Sequence, residues 1–426
     1  MQLTEQTKEF KGLTIHTIKT DRYKTNTLML MIKAPLERET VAMRALLPHV
    51  LQNGTAKSPS RKDVRGRLDE LYGAMLASDV QKKGEQHIIT IRLDVANEKF
   101  LTDQTPLFEE GLKLLSEVLL DPVVEGEAFK SSIIESEKRS LIQRIQSVYD
   151  DKMRYANVRI TEEMCKDEPF GLTAYGTVEQ VEAITPESLF SYYNQLLKND
   201  RIDFYVVGDM EESEAIGKIE NYFTFSNRTP VDQVPASSES PKVKQENIVT
   251  DEQDVKQGKL HIGFRTYTTF ADDDYVAMQV CNGLFGGFSH SKLFINVREK
   301  ESLAYYAASR YESHKGILMV MSGIEFAKYD RAVTIIKEQL DAMRDGDFTD
   351  AELDQTKAML KNQVLETSDV ARGYVELSYH QIVSGHKRSL EDLLNEIDQV
   401  TKEDVIQASK KVELDTIYFL KGEESK

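Results

Sequence analysis

The sequence predicts an α+β protein of two internally duplicated domains, each a mainly antiparallel sheet with helices packed on one face. Three observations lead there. The chain has 426 residues, too many for one simple core. A polar stretch divides it near the middle, and the two halves repeat one pattern. "GTVEQVEAITPESLFSYYNQLLKNDRIDFYVVGD" (176–209) and "DLLNEIDQVTKEDVIQASKKVELDTIYFLKGEE" (392–424) correspond closely. Each runs from an acidic approach through a threonine cap candidate, Thr185 or Thr401, into a helix, an alternating strand and a glycine.

The earlier elements follow the same scheme. "TLMLMIKAPLERETVAMRALLPHVLQ" (27–52) reads as a strand, an acidic turn and an apolar helix with Thr40 as its N-cap candidate. "KLHIGFRTYTTFADDDYVAMQVCNGLF" (259–285) echoes it in the second half. "NGTAKSPSRKDVRGRLDELYGAMLASD" (53–79) gives a tight turn, a basic serine-rich loop and an amphipathic helix that turns back into the sheet. "KKGEQHIITIRLDVANE" (82–98) alternates as a strand, with His87 as a structural residue. The stretch 224–259 is polar, holds several of the prolines and lacks periodicity, as an interdomain linker would. The expected division is therefore 1–223, a linker over 224–259, and 260–426. Glu162-Glu163 and "FADDDY" (270–275) read as solvated turns rather than acid/base pairs.

Composition excludes several classes. Fifty-four Lys+Arg against 71 Asp+Glu give a formal charge of −17, a field that repels phosphate backbones, so no nucleic-acid partner is expected. No apolar run is long enough for a membrane span, and no basic-then-apolar leader is present; a cytoplasmic protein without a membrane partner is expected. Cys165 and Cys281 are far apart and form no CxxC, which reads as reduced thiols. The eight histidines include no pair at helical spacing beside an acidic residue.

The order of the "NGT" turn, basic loop and "LYGAMLASD" helix end resembles the pitrilysin/insulinase (inverzincin) family of zinc peptidases, in its bacterial branch related to mitochondrial processing peptidase. That family carries H-x-x-E-H on the helix ahead of the glycine turn, two His one helical turn apart for zinc and a Glu that activates water. Placed on Gly54-Thr55, the motif falls on Ala45, Pro48 and His49, so only the second His is kept. The third ligand of the family lies in a stretch resembling "EKRSLIQRI" (137–145); Glu137 matches its first Glu, and Arg144 stands at the ligand. The resemblance therefore implies no metal and no other cofactor in this chain. One imidazole cannot hold zinc, and an arginine cannot deprotonate to relieve the charge. Pro48 also lacks the N–H that would reach the Arg44 carbonyl and should kink the helix.

In the second half, "NGLFGGFSHSKLFINVREKESLAYYAASRYESHKG" (282–316) resembles the family's second-domain signature. The Arg/Tyr pair that dimeric members project into the partner's zinc site maps onto Arg298 and Tyr305. The "GGFSHS" turn lacks the GK[ST] ending of a phosphate loop. The resemblance implies a non-catalytic subunit of a peptide-cleaving zinc enzyme. Its partner would be a zinc-bearing paralogue, or a second copy of itself, around a peptide substrate, with zinc in the partner subunit. Two other readings stay open at this point: an active zinc endopeptidase, and a peptide-binding or scaffolding protein with no proteolytic partner.

Overall fold

The computed structural model describes residues 5–102, 105–225, 228–231 and 240–422. The chain forms two compact units, Met1–Ser147 with Leu172–Gln233, and Val148–Gly171 with Val234–Lys426.

The first unit holds a six-stranded sheet of β1 (Glu5–Phe10), β2 (Leu13–Lys19), β3 (Thr25–Pro35), β4 (Met75–Lys83), β5 (Gln86–Ala96) and β6 (Arg201–Gly208). Their order across the sheet is β1-β2-β6-β3-β5-β4. Only β2 and β6 run parallel; every other neighbouring pair is antiparallel. The helices are α1 (Val41–Leu51), α2 (Arg61–Glu70), α3 (Leu107–Leu120), α4 (Ser131–Asp150), α5 (Lys152–Met164), α6 (Val178–Glu182), α7 (Pro186–Asn199) and α8 (Glu212–Tyr222). Of these, α5 belongs to the second unit. Alternation in β3 sends Leu28, Leu30 and Ile32 into a core shared with α1, α3 and α7. Gly111 of α3 lies so close to β5 that a Cβ there would stand 2.9 Å from Val95, which is why the helix carries no side chain at that contact.

The second unit has five strands, β7 (Asn247–Gln253), β8 (Gly258–Arg265), β9 (Ala304–Glu312), β10 (Ile317–Ile324) and β11 (Glu413–Gly422), in the order β7-β11-β8-β10-β9. Matched by rank along the chain, this is the order β2-β6-β3-β5-β4, and again only the first and last strands, β7 and β11, are parallel. The shared topology, including its single parallel pair, is the structural form of the duplication, and β1 is an addition to the first copy. Helices α9 (Tyr275–Asn282), α10 (Tyr329–Arg344), α11 (Asp350–Ser368), α12 (Ala371–Ser384), α13 (Leu390–Gln399) and α14 (Lys402–Lys410) complete the unit. Its main core includes Leu260, Ile262 and Phe264 from β8 and residues of α9, α10 and α14. On the opposite face of this sheet, Ala156 and Ile160 of α5 pack against Tyr418 and Leu420 of β11.

Three expectations need correction. The linker does not extend to 259: Asn247–Gln253 is a strand, and Gly258 begins another. The stretch looked like linker because β7 is an edge strand with much of its length in solvent, so its polar residues carry little periodicity. Residues 226–227 and 232–239 of the stretch lie outside the described residues. The first domain is not continuous to 223, because 148–171 are grouped with the second unit. Glu162 and Glu163 are helical, not in a turn, and both pair with Arg159 at 2.9 and 2.6 Å.

Candidate functional site

The residues that the resemblance places at a degenerate metal motif lie on α1 and α4. Helix α1 starts after Thr40, whose side chain makes no capping bond, and stays helical through Pro48 to Leu51. Pro48 stands in the last turn, so the Arg44 carbonyl loses one donor while only a short length of helix follows. Ala45 and Pro48 are buried. His49 is half-buried, with its Nε2 enclosed and without a hydrogen-bond partner. Burial, and then the charge of Arg144, lower its pKa, so the ring is neutral at pH 7; Glu137 and Asp79 act in the opposite sense and Arg61 in the same one.

Helix α4 supplies the facing residues. Glu137 and Arg144 are seven positions apart, two turns, and so lie on one face. Asn53, just past α1, donates from Nδ2 to the His49 carbonyl at 2.8 Å and to Glu137 Oε1 at 3.0 Å. Arg144 is exposed, and its guanidinium stands 5.6 Å from the centre of the Tyr175 ring. The donor set does not fit zinc. His49 is the one imidazole, Glu137 is engaged by Asn53, and the position that the resemblance gives to the third ligand is Arg144, a permanent cation. Among the described residues no group of three or more His, Cys, Asp or Glu side chains is placed to hold a metal ion.

Helix α1 is instead anchored by Arg44, which is fully buried. Its guanidinium donates to Tyr192 Oη at 2.9 Å, to the carbonyls of Ile32 and His87 at 2.9 and 3.0 Å, and to the Asp200 carboxylate. Burial opposes the charge, but Tyr192 and Asp200 outweigh it and raise the pKa, so this residue stays charged.

In the second unit, Arg298 lies on a π-helical stretch, Leu293–Lys300, with its guanidinium 4.5 Å from the centre of the Phe294 ring. Tyr305 is 68% exposed near the start of β9, an edge strand. Gly323 pairs with Tyr306 and Ile324 with Ala304, so Tyr305 is the extra residue of a β-bulge, a device that re-aims a side chain at a sheet edge. A Cβ added at Gly323 would come within 2.5 Å of the Tyr306 ring.

Two histidine clusters escaped the sequence reading. His16, buried on β2, meets Glu5 at 2.7 Å and Asp203 at 3.1 Å and stacks on Tyr205. Burial disfavours its charge, yet the two carboxylates prevail and its pKa is raised. His314 Nε2 and His380 Nδ1 stand 2.6 Å apart beside Phe270. Linear spacing could not reveal either, since the partners are 187 and 66 positions apart.

The fold and the altered motif together define an inactive metallopeptidase homologue, and comparison with known proteins agrees. Residues 183–360 match the family described as "Peptidase M16 inactive domain". The chain is 52% identical over 413 residues to "Probable inactive metalloprotease YmfF" of Bacillus subtilis (strain 168), covering 97% of this chain and 96% of that one. It is 24% identical over 318 residues to "Mitochondrial-processing peptidase subunit beta" of Saccharomyces cerevisiae, covering 70% of this chain and 66% of that one. A crystal structure of a conserved protein from Enterococcus faecalis V583 superposes with a TM-score of 0.92 at 31% identity, over 99% of both chains. The chain belongs to the M16 family of metallopeptidases, as an inactive homologue. Among the described residues no helix is long and apolar enough to cross a membrane.

Proposed function

We propose that this protein is a cytoplasmic, non-catalytic subunit that pairs with a zinc-bearing paralogue, encloses a peptide substrate with it, and supplies Arg298 and Tyr305 to the partner's site. One observation carries the reading: Arg298 and Tyr305 stand in solvent-accessible positions, Tyr305 at a β-bulge on an edge strand. Mitochondrial-processing peptidase subunit beta, a relative, is by its name one subunit of a larger enzyme. Both cysteines are buried thiols, in keeping with a reducing compartment.

The chemistry follows from the side chains. A guanidinium holds a substrate carbonyl or carboxylate through two parallel N–H bonds. A tyrosine hydroxyl donates to the oxyanion that develops as a peptide carbonyl is attacked, an interaction made mainly in the transition state. Both residues come from the second half of the chain.

The test is reconstitution with a paralogue that carries H-x-x-E-H, assayed at saturating peptide. Tyr305→Phe should lower turnover on the order of a hundredfold. Arg298→Ala should raise KM as well as lower kcat. Both complexes should remain intact by gel filtration. Normal turnover in the doubly substituted complex would reduce the protein to a scaffold. Stoichiometric zinc in this chain alone, lost on His49→Ala, would make it an enzyme in its own right.

A further inference from the structure

We propose that Lys259 of the second unit is a modification site, an amine that takes up a small activated acyl group delivered on a phosphate or a thiol. Lys259 is the second residue of β8. It stands opposite Leu420 of β11, which packs against α5, so its side chain lies on the sheet face that α5 covers. A cavity of about 440 Å³ opens there. Its lining includes Asp151 and Lys152 at the start of α5, Asp254, Lys256 and Gln257 from the turn between β7 and β8, and Lys259 itself. A small molecule fits such a volume.

The surroundings of this amine suit a nucleophile. Its Nζ donates to Gln257 Oε1 at 2.6 Å and stands 5.7 Å from the centre of the Tyr306 ring. Among the described residues no carboxylate is within ion-pair distance of it. Gly323, opposite Lys259 on β10, leaves room for both neighbours: a Cβ there would stand 2.5 Å from the Tyr306 ring and 3.0 Å from Gln257 Oε1. A neutral acceptor and a ring thus position the side chain without the paired charge that would keep it protonated. Burial prevails over the favourable field of Asp151 and lowers the pKa of Lys259 from the ordinary 10.5. The other titratable groups around it are Asp150, Lys152, Asp254 and Lys256 on the cavity wall. Tyr306, whose hydroxyl burial pushes up to about 12, and His261, on the same face of β8 and held down to about 3, are both neutral at pH 7. A partly desolvated lysine of this kind is an activated nucleophile.

In the reaction, the lone pair of the neutral Nζ attacks the acyl carbonyl carbon and forms the C–N bond of an amide. The bond from that carbon to the phosphate oxygen, or to the thiol sulfur, breaks, and its electron pair leaves with that group. The proton shed by the nitrogen passes to the leaving group, so no further reactant is required. Gln257 engages an N–H of the amine and not its lone pair.

The full chain is treated with acetyl phosphate, and separately with S-acetyl-N-acetylcysteamine, from neutral to alkaline pH. Peptide mass spectrometry reads the acetylation rate at each lysine. At pH 7 Lys259 should react several-fold faster than Lys256, which is exposed on the same cavity, and the carrier giving the larger ratio names the source. Its rate should level off below pH 10.5. Asp151→Asn keeps a capping residue at α5 and removes the charge that favours the ammonium, so Lys259 should react faster still. In urea the advantage over Lys256 should vanish, and Lys259→Arg should remove the fast site from the intact mass. The proposal is overturned if Lys259 is no faster than Lys256 with either carrier, or if its rate climbs through pH 10.5 without levelling. It is overturned equally if Asp151→Asn, with native circular dichroism, leaves the rate unchanged, or if the advantage survives unfolding.

Discussion

His261→Leu should make the protein more stable, and more so as the pH falls. His261 lies on β8, wholly buried, with neither ring nitrogen hydrogen-bonded among the described residues. It alternates with the core residues Leu260 and Ile262, and so faces away from the main core of its unit. Burial, and to a lesser degree Lys259, hold its pKa down to about 3, against 6.5 for a free side chain. The folded protein thus refuses a proton that the unfolded chain accepts as the pH drops through 6.5. Unfolding is favoured in that direction, and the loss stops growing only near the folded value. Integrated from about pH 7 to pH 5, one such proton costs about 2 kcal/mol. At pH 7 leucine also removes two unpaired buried nitrogens, which contributes about 1–3 kcal/mol in its favour. Urea unfolding followed by far-UV circular dichroism, in both chains at both pH values, measures the two effects. Other titrating groups, including His87 and the oppositely shifted His16, are common to both chains and cancel in the difference. The stability gap should widen by about 2 kcal/mol at the lower pH. A gap that stays constant would mean that His261 takes up its proton while folded, and the burial argument would fail.

Two further substitutions probe the first unit. Arg44→Met should cost about 3–5 kcal/mol, measured by denaturant unfolding, because it strands the Asp200 carboxylate and three buried acceptors. A loss below about 1 kcal/mol, the worth of a surface pair, would show that water replaces the guanidinium. Ala45→His with Pro48→Glu restores two positions of the zinc motif but leaves Arg144, so tight zinc binding should require Arg144→Glu in addition. Equal zinc affinity by calorimetry in the double and triple variants would show that Arg144 does not act on this site.

Local patterns made the fold largely readable. The strands at 25–35, 86–96, 201–208 and 413–422 follow from alternation or dense apolar runs, and Thr185 and Thr401 both form capping boxes. Thr40 shows the limit of the same rule: its side chain makes no capping bond, and nothing in the residue type distinguishes it from the other two. What remained hidden depends on long-range partners. β7 becomes a strand because β11 offers an edge about 170 residues later, and its sequence alone has too little apolar content to announce it. The grouping of α5 with the second sheet is likewise a matter of what Ala156 and Ile160 meet. At the candidate site, Ala45, Pro48, His49 and Arg144 were named through a motif, but the contacts of Asn53 and Tyr175 were not foreseen, since each enters through a side-chain direction.

Helix α1 is held in place by the protein itself, chiefly through Arg44. A helix held in place by a bound ion would drift once the ligands were gone, because binding free energy is then part of folding free energy. Here α1 is fixed from within. The Arg44 side chain joins it to β3 through the Ile32 carbonyl, to β5 through that of His87, to α7 through Tyr192, and to Asp200 just beyond α7. Ala42, Leu46 and Val50 add an apolar face at helical spacing. A proline is admissible at position 48, in the last turn, where few backbone bonds depend on it. Substitutions at His49 or Arg144 touch none of the Arg44 contacts and should leave the unit folded, which is what makes the zinc experiments interpretable.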